Sequence, residues 1–496
     1  MNELIRINQS DLVAVALRPL TKGETVPVSG SDFSLEIHED IPMGHKAALR
    51  DISAGEAVIK YGFPIGQALT DIPKGTHVHT NNIRTLLSGA HEYTYNPTNP
   101  KVNPVPEKFF RGYVRKDGRV GVRNELWIIP TVGCVNDIAE TLERKAQCLL
   151  GNHVENVRAF VHPYGCSQMG QDQENTRTVL ANFVTHPNAG GVLLLGLGCE
   201  NSGIDRIKEH MKSGYDEERV RFLVSQDVED EVETGFALLK ELAERMKHDS
   251  RVDCPVSKLV VGLKCGGSDG LSGITANPTI GGFSDLLIAH GGSTILTEVP
   301  EMFGAETILM NRCKDEATFE KTVNLINDFK AYFEASGQPV YENPSPGNKA
   351  GGITTLEDKA LGCTQKSGSS PVVDVLKYGE QVHEHGLNLL SAPGNDLVAS
   401  TALASAGAQI VLFSTGRGTP FGCPVPTMKI SSNTPLYQHK SKWIDFNAGT
   451  LVESGTIKDK AQELFDFVIQ VAEGKKTRNE ENGFQSMAIF KTGTTL

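Results

Sequence analysis

No run of apolar residues in this 496-residue chain reaches the roughly 18 needed to cross a bilayer, so no transmembrane helix is expected. The first residues, MNELIRINQSDLVAVAL, carry acids and have no long apolar core, so no secretory signal is expected either. Positive charge is outnumbered. There are 48 Lys and Arg against 60 Asp and Glu, a formal net charge of -12. That argues against a general nucleic-acid binder, whose affinity comes mainly from basic residues on phosphates. An anionic small substrate stays open, because a local Arg/Lys pocket can sit on an acidic protein. The nine cysteines are an odd number, scattered, with no C-x-x-C pair. They predict reduced thiols in a cytoplasmic protein rather than a disulfide framework. Two nucleotide motifs are missing as well. GLGCENSG has Asn201 where the third glycine of G-x-G-x-x-G belongs, and no G-x-x-x-x-G-K-[ST] occurs.

What is present is globular: 39% hydrophobic, 22% charged and 50 Gly, in a chain long enough for two or three domains. Residues 1–92 are short β-type runs such as LVAVAL, SLEIHEDI, AVIKYG and HVHTNN, split by turn signals. Residues 93–108, dense in Pro and Asn, read as a linker. From residue 109 apolar strand-like runs alternate with helix-like stretches, among them Asp230 to Lys247 and Glu316 to Phe333. The polar break KHDSRVDCPVSK divides this part into 109–250 and 251–496. The expected fold is therefore an α/β large region with mainly parallel sheets, preceded by a small all-β domain.

Four strand-like runs end in glycines mixed with reactive residues: YGCSQMGQD, GCENSG, CGGSDGLSG and GRGTPFG. Ligands in α/β sheets bind outside the carboxyl ends of strands, so four such ends suggest one composite active site. Glu200, Asp269 and Lys349 are the titrating candidates there, although an acid in such a loop equally caps a helix or satisfies loop amides. Ser167, Gln168, Ser268, Asn395 and Arg417 are candidates to hold substrate. Arg123 and Asn124 join them from FRGYVRKDGRVGVRNELW, which reads as an irregular cationic arm for a carboxylate or, alternatively, as a solvated hairpin. Cys166, Cys199, Cys265 and Cys363 either converge on iron or an Fe–S cluster or are small residues in tight turns. In GTHVHTNNI, His77 and His79 are two apart in a strand and so face the same way. They are metal-ligand candidates or merely exposed histidines.

Many long segments resemble the altronate/galactarate dehydratase family. They include GHKAAL and VIKYGFPIGQA in the small domain, and GYVRKDGRVGVRNELWIIPTVGCVN, HPNAGGVLLLGLGCEN, CGGSDGLSGITANP, NPSPGNKAGGITTLEDKALGCTQKSGSS and WIDFNAG beyond it. The resemblance implies a SAF-type N-terminal domain and a hydro-lyase of hexuronate (galacturonate) catabolism that removes water from a small sugar acid. Altronate, giving 2-dehydro-3-deoxy-gluconate, is favoured over galactarate by overall length and the shape of the N-terminal segment. Other readings are a second hydroxy-acid lyase of the family, an Fe–S hydro-lyase, or a sugar-acid-binding protein without catalysis. The family further implies Fe2+, with Mn2+ as a substitute, and a homo-oligomer, guessed to be a dimer. His77, His79, His45 and Cys199 are the residues placed on that metal. One departure stands out. The family's usual H-x-H-x-H-N reads here His77-Val78-His79-Thr80-Asn81-Asn82, with Asn81 at the third histidine position.

Overall fold

The computed structural model describes residues 3–87, 92–212, 214–340 and 343–496. Leu4 to Arg84 hold nine short strands in two sheets. The larger sheet runs in the order Ser34–Glu36, Thr25–Ser29, Leu4–Ile5, Val13–Ala16, Lys46–Ala48, His77–Val78. Its outer strands alternate buried and exposed residues, as in Thr25–Ser29, where Val26 and Val28 point inward, while Val13–Ala16 and Lys46–Ala48 are buried throughout. The last two strands pair antiparallel, with Ala47 opposite His77. The expected end of this domain, near residue 92, adjoins residues 88–91, which lie outside the described residues.

The large region contains two parallel layers. The first is a four-stranded sheet, Val157–Ala159, Glu125–Pro130, Ala189–Gly196 and Val220–Val224, every pair parallel. Its central strands are buried throughout, the signature of a sheet covered on both faces by helices. The second has seven parallel strands in the order Val372–Leu376, Leu387–Leu390, Ser293–Leu296, Val260–Cys265, Ile410–Thr415, Thr427–Ser431, Phe446–Asn447. The chain winds outward one way from Val260–Cys265 and returns on the other side at Ile410–Thr415. The gap between the carboxyl ends of those two strands is thus a topological switch point. The sheets as a whole are mixed, because Phe109–Val114 pairs antiparallel with both Val120–Gly121 and Val252–Pro255. No described helix is long and apolar enough to cross a membrane.

Two expectations change. The expected linker is strapped down: the Tyr93 hydroxyl donates to Glu306 at 2.6 Å, the Tyr95 hydroxyl donates to the Cys313 carbonyl at 2.7 Å, and Lys108 pairs with Asp466. Of the two readings of the cationic arm the hairpin is the one found, turning at Gly118 with φ +79°, but with Arg115 and Arg123 buried rather than solvated. Its arginines serve the fold. Arg115 donates to the carbonyls of Pro187 and Arg123, and Arg123 to those of Val122, Val471 and Lys475, besides pairing with Glu480.

Candidate functional site

The strand Lys46–Ala48 and the strand His77–Val78 bring three histidines together. With Ala47 opposite His77, antiparallel register sets His45 beside His79 on one face. The ring centroids of His45, His77 and His79 lie 4.8 to 5.3 Å apart. His45 Nδ1 and His77 Nε2 are 2.9 Å apart. Burial comes first among the causes that lower all three below the ordinary histidine range, reaching about 4 for His77 and about 3 for His79, with the neighbouring Lys46 ammonium adding to it. Neutral imidazoles are the metal-binding form.

The large region closes this cluster from its other side. The Ala350 carbonyl lies 3.3 Å from His45 Nε2, and the Thr354 hydroxyl 3.1 Å from His79 Nδ1. With those nitrogens donating, His45 Nδ1 and His79 Nε2 carry the lone pairs, and His45 Nδ1 is within hydrogen-bond reach of His77 Nε2; an outer partner commonly fixes a histidine's tautomer in this way. The docking is tight. Gly270 and Gly352 both lie against the Gly44 carbonyl, where any Cβ would collide. Next to it Lys46 donates to the Gly352 carbonyl, Thr354 and Asp358, and Lys60 donates to the other oxygen of Asp358 at 2.8 Å. All three charged groups are buried. Burial opposes the Asp358 charge, but Lys46 and Lys60 outweigh it and hold the carboxyl well below the usual range.

The docked face meets the switch point of the seven-stranded sheet. After Val260–Cys265, the Gly267 carbonyl accepts from the amides of Gly416 and Arg417, which follow Ile410–Thr415. The short helix Pro346–Ala350, capped by Ser345, lies over this gap, tied there by Asn348 donating to the Ser268 carbonyl at 2.9 Å. Two cations flank it. Arg417 is exposed and makes one long contact, 3.4 Å, to the Gly347 carbonyl. Lys349 is half-buried, and its ammonium has no side-chain partner among the described residues. Two lightly engaged cations at the short helix whose last residue, Ala350, meets His45 suit an anionic ligand.

Three family models cover nearly the whole chain: the altronate/galactarate dehydratase SAF domain over residues 2–86, the D-galactarate dehydratase/altronate hydrolase second domain over 112–247, and the D-galactarate/altronate dehydratase C-terminal domain over 256–495. An altronate dehydratase of Bacillus subtilis (strain 168) is 56% identical, over 100% of both chains. One from Escherichia coli (strain K12) is 54% identical, again over 100% of both. The chain belongs to the altronate/galactarate dehydratase family. A more distant member, the galactarate dehydratase (L-threo-forming) of Escherichia coli (strain K12), is 34% identical over 98% of this chain and 96% of its own.

In this family member the residues singled out from sequence fall into four groups. His45, His77, His79, Lys349, Arg417, Ser268 and Asp269 gather around residues 345–351. Asp269, however, is a hub of the loop: its carboxylate accepts from Leu271 N, Ser272 N, Ser272 Oγ, Ser432 Oγ and Asn433 Nδ2. Glu200, Ser167, Gln168, Cys166 and Cys199 line the rim of the other sheet. Glu200 accepts from Thr131 Oγ1 and the amides of Leu197 and Gly198, and these bonds outweigh burial and keep it below the usual range. Gln168 is buried and bridges Thr495, and Ser167 takes φ +60°. Asn395 caps the helix Asp396–Ser405. Arg123 and Asn124 precede the strand Glu125–Pro130, at the end opposite the carboxyl rim. Arg123 is used up by Glu480 and three carbonyls, so neither residue reaches this site.

The cysteines do not converge as a set of four. Cys166 and Cys199 are exposed on the four-stranded rim, with Cys199 near Gln226 rather than near any histidine, while Cys265 and Cys363 are buried together elsewhere. Sequence reasoning missed Thr354, Asp358 and Lys46. GHKAAL and GITTLEDK carried them, but only their apposition gives them a role.

Proposed function

We propose that the chain is an altronate dehydratase, converting altronate to 2-dehydro-3-deoxy-gluconate and water. The observation that carries this is identity of 54–56% across whole chains to two proteins named altronate dehydratase, against 34% to a galactarate dehydratase. His45, His77 and His79 would hold Fe2+, or Mn2+ in its place. The closest approach among their ring nitrogens is that of His45 Nδ1 and His77 Nε2, at 2.9 Å. The ligand atoms of all three histidines lie within 4.8 Å of one another. Imidazole suits iron among the divalent metals. When bound, the ion supplies Lewis acidity to a substrate oxygen.

The protein's own groups do the rest. Arg417 takes the substrate carboxylate as a fork of donors. That orients the C2 hydrogen, made weakly acidic by the carboxylate beside it, toward Lys349. Lys349 is the group free to move a proton at C2 or at the leaving C3 hydroxyl. Loss of that hydroxyl leaves an enol, which becomes the 2-keto acid without further catalysis. Asp269 holds the loop in shape rather than trading protons.

A panel of hexonates and hexarates, followed by 2-keto-acid formation with added Fe2+ under reducing conditions, tests the assignment. Turnover of altronate is expected to exceed that of galactarate on the order of 10-fold or more. Equal or greater turnover of galactarate contradicts it.

A further inference from the structure

Behind the active-site loop lies a second cluster that the proposed reaction does not use. Cys265 ends the central strand and Cys363 ends the helix Leu356–Cys363. Their sulfurs are 3.4 Å apart, and Glu301 Oε2 lies 3.1 Å from one and 3.2 Å from the other. All three residues are buried. Three donors this close would suggest a metal site, but the charges around them argue otherwise. Lys359 pairs with Glu301 at 2.7 Å, and Lys264 and Lys366 both pair with the adjacent Glu298. Three buried ammonium groups offset the carboxylates of Glu301, Glu298 and Asp396, so no excess negative charge draws a divalent cation, and a thiolate here has cations beside it. A hydrogen bond from Cys363 is the main cause holding the Cys265 thiol below its ordinary range; burial and the Glu301 carboxylate oppose it, and Lys366 and Lys264 assist it. The same bond, with burial, raises Cys363. A thiolate beside a protonated thiol is the arrangement of an attacking and a resolving cysteine.

We infer that Cys265 and Cys363 are a reversible oxidation site, closing to an intramolecular disulfide on reaction with hydrogen peroxide. The Cys265 thiolate attacks one peroxide oxygen and the O–O bond breaks. This gives the Cys265 sulfenic acid and a hydroxide, which takes up one proton to leave as water. The Cys363 sulfur then attacks the Cys265 sulfur. The S–S bond forms, the S–O bond breaks, and the departing hydroxide carries off the thiol proton as a second water. The sulfurs must close from 3.4 Å to about 2 Å. A void of about 10 Å³ lined by Cys363, Lys359, Ser268 and Asp269 lies on the Cys363 side of the pair, room for about one water-sized molecule.

The disulfide would remove the one remaining S–H, that of Cys363, from the reach of Glu301. It would also pull on the helix that carries Asp358, the anchor of Lys46 and Lys60, and Lys359, which reaches Asn348 in the loop behind His45. The inference does not rest on the proposed reaction. The test is peptide mapping of the full chain, treated with peroxide in the presence of a chelator, then unfolded and alkylated. A linked Cys265–Cys363 peptide, two hydrogens lighter and restored by dithiothreitol, is expected. Cys363→Ser should stop at a Cys265 sulfenic acid that dimedone traps. Cys265 and Cys363 both still alkylated after the exposed Cys134, Cys148, Cys166 and Cys199 have oxidised would overturn the inference, as would either residue linked to another cysteine. The wild-type map decides alone if the serine variant does not fold.

Discussion

Single residues divide into those a ligand can reach and those the fold has already used. His77 and His79 share a face because a strand repeats every two residues, and that much was readable from GTHVHTNNI. His45 was a weaker candidate for a plain reason: the pairing that sets Ala47 opposite His77 joins segments thirty residues apart, and periodicity within either segment is silent about it. Arg123 failed for the same kind of reason. It lies in a segment that reads as a cationic arm, but its partner Glu480 comes from the other end of the chain. Two residue-level outcomes follow. Thr354→Val removes the hydroxyl that partners His79 Nδ1 and should lower Fe2+ affinity on the order of 10-fold or more; unchanged affinity by metal titration would dismiss its orienting role. Arg417→Lys keeps the charge but not the fork. KM for altronate should rise about 10-fold with kcat much less affected, an approximate figure for one lost charged contact. Steady-state kinetics showing an unchanged KM would free Arg417 from substrate binding.

At the level of elements, the sheets and their order were partly legible and the anchors between them were not. Apolar runs followed by glycine-rich ends marked where strands stop, and those ends do line the carboxyl rims of the two parallel sheets. The helix Leu356–Cys363 shows what was hidden: it carries Asp358, whose carboxylate is shared by two lysines of the small domain. Asp358→Asn leaves two buried ammonium groups facing one neutral amide. It should cost about 3–5 kcal/mol, read as a fall in thermal stability, with release of the small domain from its seat. A loss under about 1 kcal/mol would mean the triad is not what holds the interface. The strand Glu125–Pro130 carries a buried acid that burial pushes up to about 7 from its ordinary 4.5, while Trp127 Nε1 donates to it at 2.7 Å. A raised pKa means the folded state holds the proton more tightly than the unfolded one. The favourable contribution is complete below pH 4.5 and is lost as pH rises through 7. Glu125→Gln should therefore match wild type in acid and be the more stable by on the order of 1–3 kcal/mol at pH 8. Parallel stability–pH curves for the two proteins would refute this.

For the whole molecule, the site is a joint product. The small domain brings three neutral imidazoles. The large region brings the partners that orient them and the cations beside them, at the switch point where parallel sheets collect ligands. Asn81 stands where the resemblance implies a third histidine, and the third imidazole of the cluster is His45, from a different strand. The most direct test loads wild type, His45→Ala, His77→Ala and His79→Ala with Fe2+ anaerobically and measures bound iron and altronate turnover together. The account predicts about one iron per wild-type chain, and for each variant a fall in retained iron with turnover lowered on the order of 100-fold or more. Full iron and full turnover in all three variants would contradict it and move the metal elsewhere in the chain.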